Sequence, residues 1–189
     1  MAEPVTADRS HNSIAPGCHW VFGYGSLIYK VDFPFLQRIE ASICGWERRF
    51  WQGSHDHRGT PDAPGRVVTL MPAPAVICKG VAYLIDQNVF EHLDHREKNG
   101  YRQHRVDIRL GSAEPPVPGV VYVAPEDNPA FLGPATSAEL AAHIAGAMGP
   151  SGSNHDYLLK LADALHALNA RDPHVEELAA LVRELIHQA

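Results

Sequence analysis

The chain has 189 residues, 45% of them hydrophobic, and a formal net charge of −6 with histidine neutral. A chain of this length fits a single compact domain, which needs no disulfide or metal to bury its core. The acidic balance argues against nucleic acid and anionic lipid as partners. No apolar run approaches the roughly 20 residues of a membrane span, so we expect no membrane partner either.

Residues 1–18 are polar and aperiodic, which predicts a flexible N-terminal tail before a single domain at 19–189. This tail lacks the basic and apolar regions of a secretory signal. The cysteines Cys18, Cys44 and Cys78 show no metal-site spacing, and their odd number leaves at least one thiol unpaired. These features favour a reducing, cytoplasmic location.

Between Trp20 and Ala124 the sequence is typical of short β-strands separated by turn residues. Strands are predicted at 20–24, 43–51, 66–70, 77–85, 103–110 and 119–123. The strand at 103–110 has the clearest pattern, because Val106, Ile108 and Leu110 alternate with charged residues. The number and shortness of these strands favour a small, strongly curved or barrel-like sheet.

Helices are predicted at 87–96 and, in the C-terminal third, after three capping residues. The expected caps are Asp86, Ser137, Ser153 or Asn154, and Asp172, the last with Pro173 at the first helical position. The expected apolar faces are Val89 and Leu93, then Leu140, Ile144 and Met148, then Leu158, Leu161, Leu165 and Leu168, then Val175, Leu178, Val182, Leu185 and Ile186. Strands followed by helices predict an α+β fold, a small curved or closed β-barrel with helices around it and a helical C-terminal third.

The first motif is a strand that runs into two glycines flanking a tyrosine and then a serine. Its residues are Val21, Phe22, Gly23, Tyr24, Gly25, Ser26 and Leu27. We expect the glycines to adopt positive φ and the successive N–H groups to form a concave anion site. Such a site suits a carboxylate or a phosphate, and an ordinary tight turn is the alternative interpretation.

The second motif is the segment 45–66, which carries four arginines against three acidic residues. Arg48, Arg49, Arg58 and Arg66 make it locally electropositive and able to attract an anionic small molecule. Pairing of each arginine with a neighbouring acid is the alternative. The long loop at 52–65 is expected to be functional. It contains His55-Asp56-His57, but no third ligand has metal-site spacing, so we predict no metal.

The third motif is Glu97, which lies where the predicted helix ends before Asn99-Gly100. A carboxylate at such a position can face a pocket, and burial there would raise its pKa into the range of a general base. A surface glutamate in a charged helix end is the alternative. No serine or cysteine nucleophile signature is present.

Seven segments, in order along the chain, together resemble the glutathione-specific branch of the ChaC family of γ-glutamylcyclotransferases. They are VFGYGSLI at 21–28, KVDFP at 30–34, RRFWQGSHDHRGTPDAPGRVVTL at 48–70, GVAY at 80–83, LDHREKNGYR at 93–102, DNPAFLGPA at 127–135 and GPSGSNHDYL at 149–158. No single segment is specific, but the set covers most of the chain.

The resemblance implies an α+β domain built on a small β-barrel and cleavage of glutathione to 5-oxoproline and cysteinylglycine. It implies that the segment 21–27 binds the substrate, with Tyr24 to Leu27 at the γ-glutamyl group, and that Glu97 is the acid/base. It also implies no cofactor, no metal and no obligate protein partner.

Two departures from the family pattern accompany the resemblance. On the stretch before Glu97, where some relatives have another acidic residue, this chain has Asp86, Gln87 and Asn88. Ser153 stands where a basic residue is expected. The alternatives are a cyclotransferase for other γ-glutamyl dipeptides or amines, and a non-catalytic sensor of a γ-glutamyl ligand.

Overall fold

A computed structural model describes residues 16–97, 100–112 and 115–188, with the side chains of 94–97 left out of the description. Most of the predicted tail 1–18 therefore lies outside the described residues. The elements are β1 Cys18–Gly23, a short 3-10 helix Ser26–Ile28, β2 Gln37–Ser54, β3 Gly65–Asp86, α1 Gln87–Glu97, β4 Arg102–Leu110, β5 Val117–Val123, α2 Ser137–Gly146, β6 Met148–Gly149, β7 Gly152–Ser153, α3 Asn154–Ala167 and α4 Pro173–His187.

The five long strands close into a barrel in the order β1-β3-β2-β4-β5. Closure is completed by a parallel contact between Val21 of β1 and Val120 of β5, while the other strand pairs are antiparallel. A closed barrel leaves no exposed sheet edge and packs its inward side chains into a core. The predicted α+β fold, a barrel surrounded by helices, is confirmed.

The prediction of separate strands at 66–70 and 77–85 is wrong, because both belong to the single strand β3. Pro72 and Pro74 lack N–H donors, so the sequence indicates that a strand is interrupted there. In the structure the register with β2 shifts there instead, and Ala75 adopts a φ of 65°. The chain resumes pairing beyond this irregularity, so the strand continues.

Most predicted helix starts are confirmed, and one cap is corrected. Asp86, Ser153 and Asp172 accept hydrogen bonds from backbone N–H groups of their first turns. Thr136, not Ser137, caps α2, because its hydroxyl and the Glu139 carboxylate form a reciprocal capping box. Most residues of the predicted apolar faces are buried. Val89, Leu168 and Ile186 are half-buried, while Leu185 and Met148 are exposed, and Met148 lies beyond the end of α2.

The helical third is joined to the barrel through Asn154, which is fully buried at the start of α3. Its side-chain amide accepts from the Arg66 N–H at 2.7 Å and donates to the Arg66 carbonyl at 2.7 Å. The Asn154 side chain therefore makes the two backbone hydrogen bonds that a neighbouring strand would otherwise make at the start of β3. None of the described helices is long and apolar enough to span a bilayer.

Acidification should destabilise the protein through His174, at the start of α4. Burial, reinforced by the charge of Arg49, lowers the pKa of His174 to about 4, and its Nε2 accepts from the Phe50 N–H at 3.1 Å. Below its ordinary pKa of about 6.5 the unfolded state binds the extra proton, so stability falls from there to about pH 4. Urea denaturation should show a contribution of about 2 kcal/mol across that window.

The variant His174→Gln keeps an acceptor for the Phe50 N–H but does not titrate. We expect its free energy of unfolding to depend less on pH between about 6.5 and about 4 than that of the wild type. Equal pH dependence in the two proteins would contradict the role given to His174.

Candidate active site

A cavity of about 780 Å³ opens at one end of the barrel. All seven residues of the predicted binding segment 21–27 line it, together with the end of β2 and the loop after β2. Five tyrosines, one of them within that segment, also line the cavity: Tyr24, Tyr29, Tyr101, Tyr122 and Tyr157. The volume is sufficient for a small-molecule ligand.

The bend at 23–27 forms for a different reason from the one expected. Neither Gly23 nor Gly25 adopts a positive φ, so that part of the prediction is wrong. Gly25 is needed for space, because a Cβ there would lie 3.0 Å from Val68 Cγ2 and 3.1 Å from the Tyr157 hydroxyl. A larger side chain at Gly25 would therefore press on the wall of the cavity.

The backbone N–H groups of Gly25, Ser26 and Leu27 donate to no other described residue. The bend passes into the 3-10 helix, in which the Ile28 N–H donates to the Gly25 carbonyl at 3.0 Å. Donors at the start of such a helix have no internal acceptor. Three adjacent main-chain donors at a cavity wall can hold a carboxylate or a carbonyl oxygen.

Buried tyrosines support the bend. The Tyr24 hydroxyl donates to the Tyr122 carbonyl at 3.0 Å, and the Tyr157 hydroxyl accepts from the Val68 N–H at 3.5 Å. Burial raises the pKa values of Tyr157 and of Tyr29 above their usual range. These phenols therefore stay protonated and act as neutral hydrogen-bonding groups.

The fold separates the four arginines of the electropositive segment 45–66. Arg48 and Arg66 are buried and donate mainly to backbone carbonyls, and Arg49 pairs with Glu47 at 2.6 Å. Of the four predicted arginines only Arg58 lines the cavity. Its guanidinium lies over the Tyr157 ring and donates to the Ser153 carbonyl at 3.2 Å.

The three residues His55, Asp56 and His57 also line the cavity. His57 Nδ1 lies 3.1 Å from the Ser151 hydroxyl, and Asp56 is exposed. Among the residues that the structure describes, no group of three or more His, Cys, Asp or Glu side chains could hold a metal ion.

The predicted acid/base, Glu97, is the last residue of α1, and its side chain lies outside the described residues. Its neighbours along the chain can be placed. Leu93, one helical turn before it, is buried and lines the cavity, and Tyr101, four residues after it, lines the same cavity. The end of α1 is therefore held beside the segment 21–27.

Gln52 and Asn128 also line the cavity, and the sequence assigned neither of them an individual role. Gln52 is the third residue from the end of β2, and Asn128 lies in the loop after β5. Both fall in segments that carry the family resemblance, but their partners are distant along the chain, so the sequence does not indicate what either side chain contacts.

The ChaC-like protein family model matches residues 19–185. A γ-glutamylcyclotransferase 2-3 of Arabidopsis thaliana is 46% identical over 90% of this chain and 91% of its own length. A glutathione-specific γ-glutamylcyclotransferase 1 of Danio rerio is 41% identical over 85% of this chain and 87% of its own length.

The fold comparison agrees with the sequence comparison. A crystal structure of the yeast γ-glutamyl cyclotransferase specific to glutathione superposes with a TM-score of 0.84 at 36% identity. The superposition covers 92% of this chain and 99% of the yeast chain. A further γ-glutamyl cyclotransferase, at 12% identity and a TM-score of 0.55, shares the fold. This chain belongs to the ChaC family.

Proposed function

We propose that this protein is a glutathione-specific γ-glutamylcyclotransferase, which converts glutathione to 5-oxoproline and cysteinylglycine. The observation that carries the proposal is similarity over most of the chain to enzymes named for that activity, one of them 41% identical. The geometry supports it, because the binding segment expected for that family lines a cavity. We also propose that residues 19–189 form one domain and that the enzyme works in the cytoplasm.

The reaction is an internal acyl transfer. The α-amine of the glutamyl group attacks its own γ-carbonyl carbon, a new carbon–nitrogen bond closes the five-membered lactam, and the bond to the cysteinylglycine nitrogen breaks. Because nucleophile and carbonyl belong to one molecule, the enzyme gains most by holding a folded conformer. Starting from the α-ammonium, the attacking nitrogen loses two protons to become the lactam N–H, and the departing nitrogen gains two to leave as an ammonium, so the protons balance.

We assign the proton transfers to Glu97. A carboxylate at the end of α1 removes a proton from the α-ammonium and returns it to the leaving amine. Positions four apart on a helix share a face, so position 97 lies on the face of α1 that carries Leu93. Leu93 lines the cavity, which supports the assignment.

The other parts of the substrate match the charges around the cavity. The N–H groups of 25–27 suit the α-carboxylate or the oxyanion that develops on the γ-oxygen. Arg58 and Lys30 line the cavity, and their cationic groups suit the glycine carboxylate. Ser153, where a basic residue was expected, instead caps α3 and offers its carbonyl to Arg58.

Purified protein incubated with glutathione, without added metal, should release 5-oxoproline and cysteinylglycine in equal amounts. Glutathione should be compared with γ-glutamyl dipeptides at matched concentrations. Fast dipeptide turnover with glutathione rejected would replace the proposed substrate. Saturable glutathione binding without product would show a sensor instead.

A further inference from the structure

A buried amide oxygen in the cavity has no hydrogen-bond partner among the described residues. It is Oε1 of Gln52, a residue that lines the cavity yet is only 3% exposed. A buried acceptor without a donor is destabilising, so folded proteins keep one where something else supplies the hydrogen. This oxygen therefore marks a place for a donor from a ligand.

The neighbours of Gln52 fix the direction of its amide. Its Nε2 lies 3.4 Å from Asn128 Oδ1 and 3.4 Å from the Gly53 carbonyl oxygen. Asn128 Oδ1 is itself defined as the oxygen, because it accepts from the Ala130 N–H at 2.8 Å while Nδ2 donates to the Gly100 carbonyl at 2.7 Å. Turning the Gln52 amide over would place its oxygen against two other oxygens.

Gln52 lines the same cavity as the donors of the segment 25–27. It pairs across the sheet with Val67 of β3, which also lines this cavity. The cavity wall thus offers N–H donors and one neutral acceptor. A carboxylate and an ammonium on the same carbon present the complementary groups.

We propose that Gln52 Oε1 accepts a hydrogen bond from the α-amine of the γ-glutamyl substrate and orients that nitrogen for attack. This inference rests on the proposed function. A neutral acceptor suits a nucleophilic amine, because a carboxylate there would stabilise the ammonium and raise its pKa. The amide oxygen holds one N–H in place, so the lone pair freed by Glu97 is directed at the γ-carbonyl carbon.

The test compares two ligands that differ only in the α-amine. Gln52→Met should lower kcat/KM for glutathione by about 10- to 100-fold, the effect of losing a hydrogen bond to a charged group. The inhibition constant of glutaryl-cysteinylglycine, which lacks the amine and cannot cyclise, should change by less than about twofold. Gln37→Met, at an exposed position of β2, is the matched control and should leave both values unchanged.

The outcomes separate this inference from the proposed function. Wild-type protein that releases no 5-oxoproline would overturn both. Wild-type turnover with equal losses for the two ligands in Gln52→Met would overturn the inference alone, because a structural role would weaken both. Wild-type turnover with neither ligand affected would also overturn it.

A second variant keeps the test decisive if Gln52→Met does not fold. Gln52→Leu also removes the acceptor and adds no oxygen beside Asn128 Oδ1 and the Gly53 carbonyl. Its kcat/KM for glutathione should fall by about 10- to 100-fold, while the inhibition constant of glutaryl-cysteinylglycine should change by less than about twofold. Equal losses for the two ligands in this variant, or no loss for either, would overturn the inference.

Discussion

Replacing Glu97 with Gln should lower kcat for glutathione by about 10²- to 10⁴-fold, the usual contribution of a positioned acid/base. The glutamine amide has nearly the same shape but cannot take a proton from the α-amine. The fold should be unaffected, because the substitution is at the end of a helix. Release of 5-oxoproline measures the activity, and the midpoint of thermal unfolding measures the fold.

Glu91 provides a matched control on the same helix. It is exposed, and its Oε1 accepts from Gln87 Nε2 at 2.8 Å one turn away. Glu91→Gln should leave kcat within about twofold of wild type, since an exposed pair of this kind contributes little. Similar activity in the Glu97 and Glu91 variants would remove Glu97 from the mechanism.

Replacing Arg48 with Met should lower the free energy of unfolding by about 3–5 kcal/mol, the cost of removing one partner of a buried ion pair. Arg48 is 3% exposed and donates to Asp172 Oδ2 at 3.1 Å, to the Tyr24 carbonyl at 2.7 Å and to the Lys79 carbonyl. The variant leaves three acceptors without that donor, of which the Tyr24 carbonyl is buried and the other two are partly buried. Urea denaturation at neutral pH measures the loss.

Arg49 is the control, since it is next in sequence and also forms an ion pair, with Glu47. Both side chains of that pair are about a quarter exposed, at 26% and 29%. Arg49→Met should therefore cost about 1 kcal/mol or less. Equal losses in the two variants would show that burial does not decide the role of these arginines.

The bend in the segment 21–27 could be predicted because its information is local. A strand followed by two glycines, an aromatic residue and a serine indicates a bend, and the structure places all seven residues at the cavity. The expectation of positive φ is wrong. A glycine can be required for its backbone conformation or for the space that it leaves, and the sequence does not distinguish these two reasons. Only the positions of Val68 and Tyr157 show that space is the reason at Gly25.

The arginines show what sequence cannot supply. Arg48 and Arg49 are adjacent and chemically identical, yet one is buried against Asp172, 124 residues away, and the other pairs with its near neighbour Glu47. Partners at such distances along the chain leave no periodic signal. The same holds for Gln52 and Asn128, 76 residues apart, whose contact fixes the orientation of the amide.

The strand β3 was divided in two because proline is a reliable local signal against a strand interior. The pairing with β2 on both sides of Pro72 and Pro74 is a tertiary property that outweighs it. The prediction of a barrel-like sheet is confirmed all the same, because it depends on several strands in one stretch of the chain and not on their exact bounds.

The side chain of Asn154 makes the barrel and the helices interdependent. A polypeptide cut before α3 would lose the group that satisfies both backbone atoms of Arg66 at a fully enclosed position. The Arg66 guanidinium, which donates to the carbonyls of Phe50 and Gly133, is fixed at the same place. Truncation of the helical third would therefore disturb the strand that carries Val67 and Val68, and so deform the cavity that these residues line.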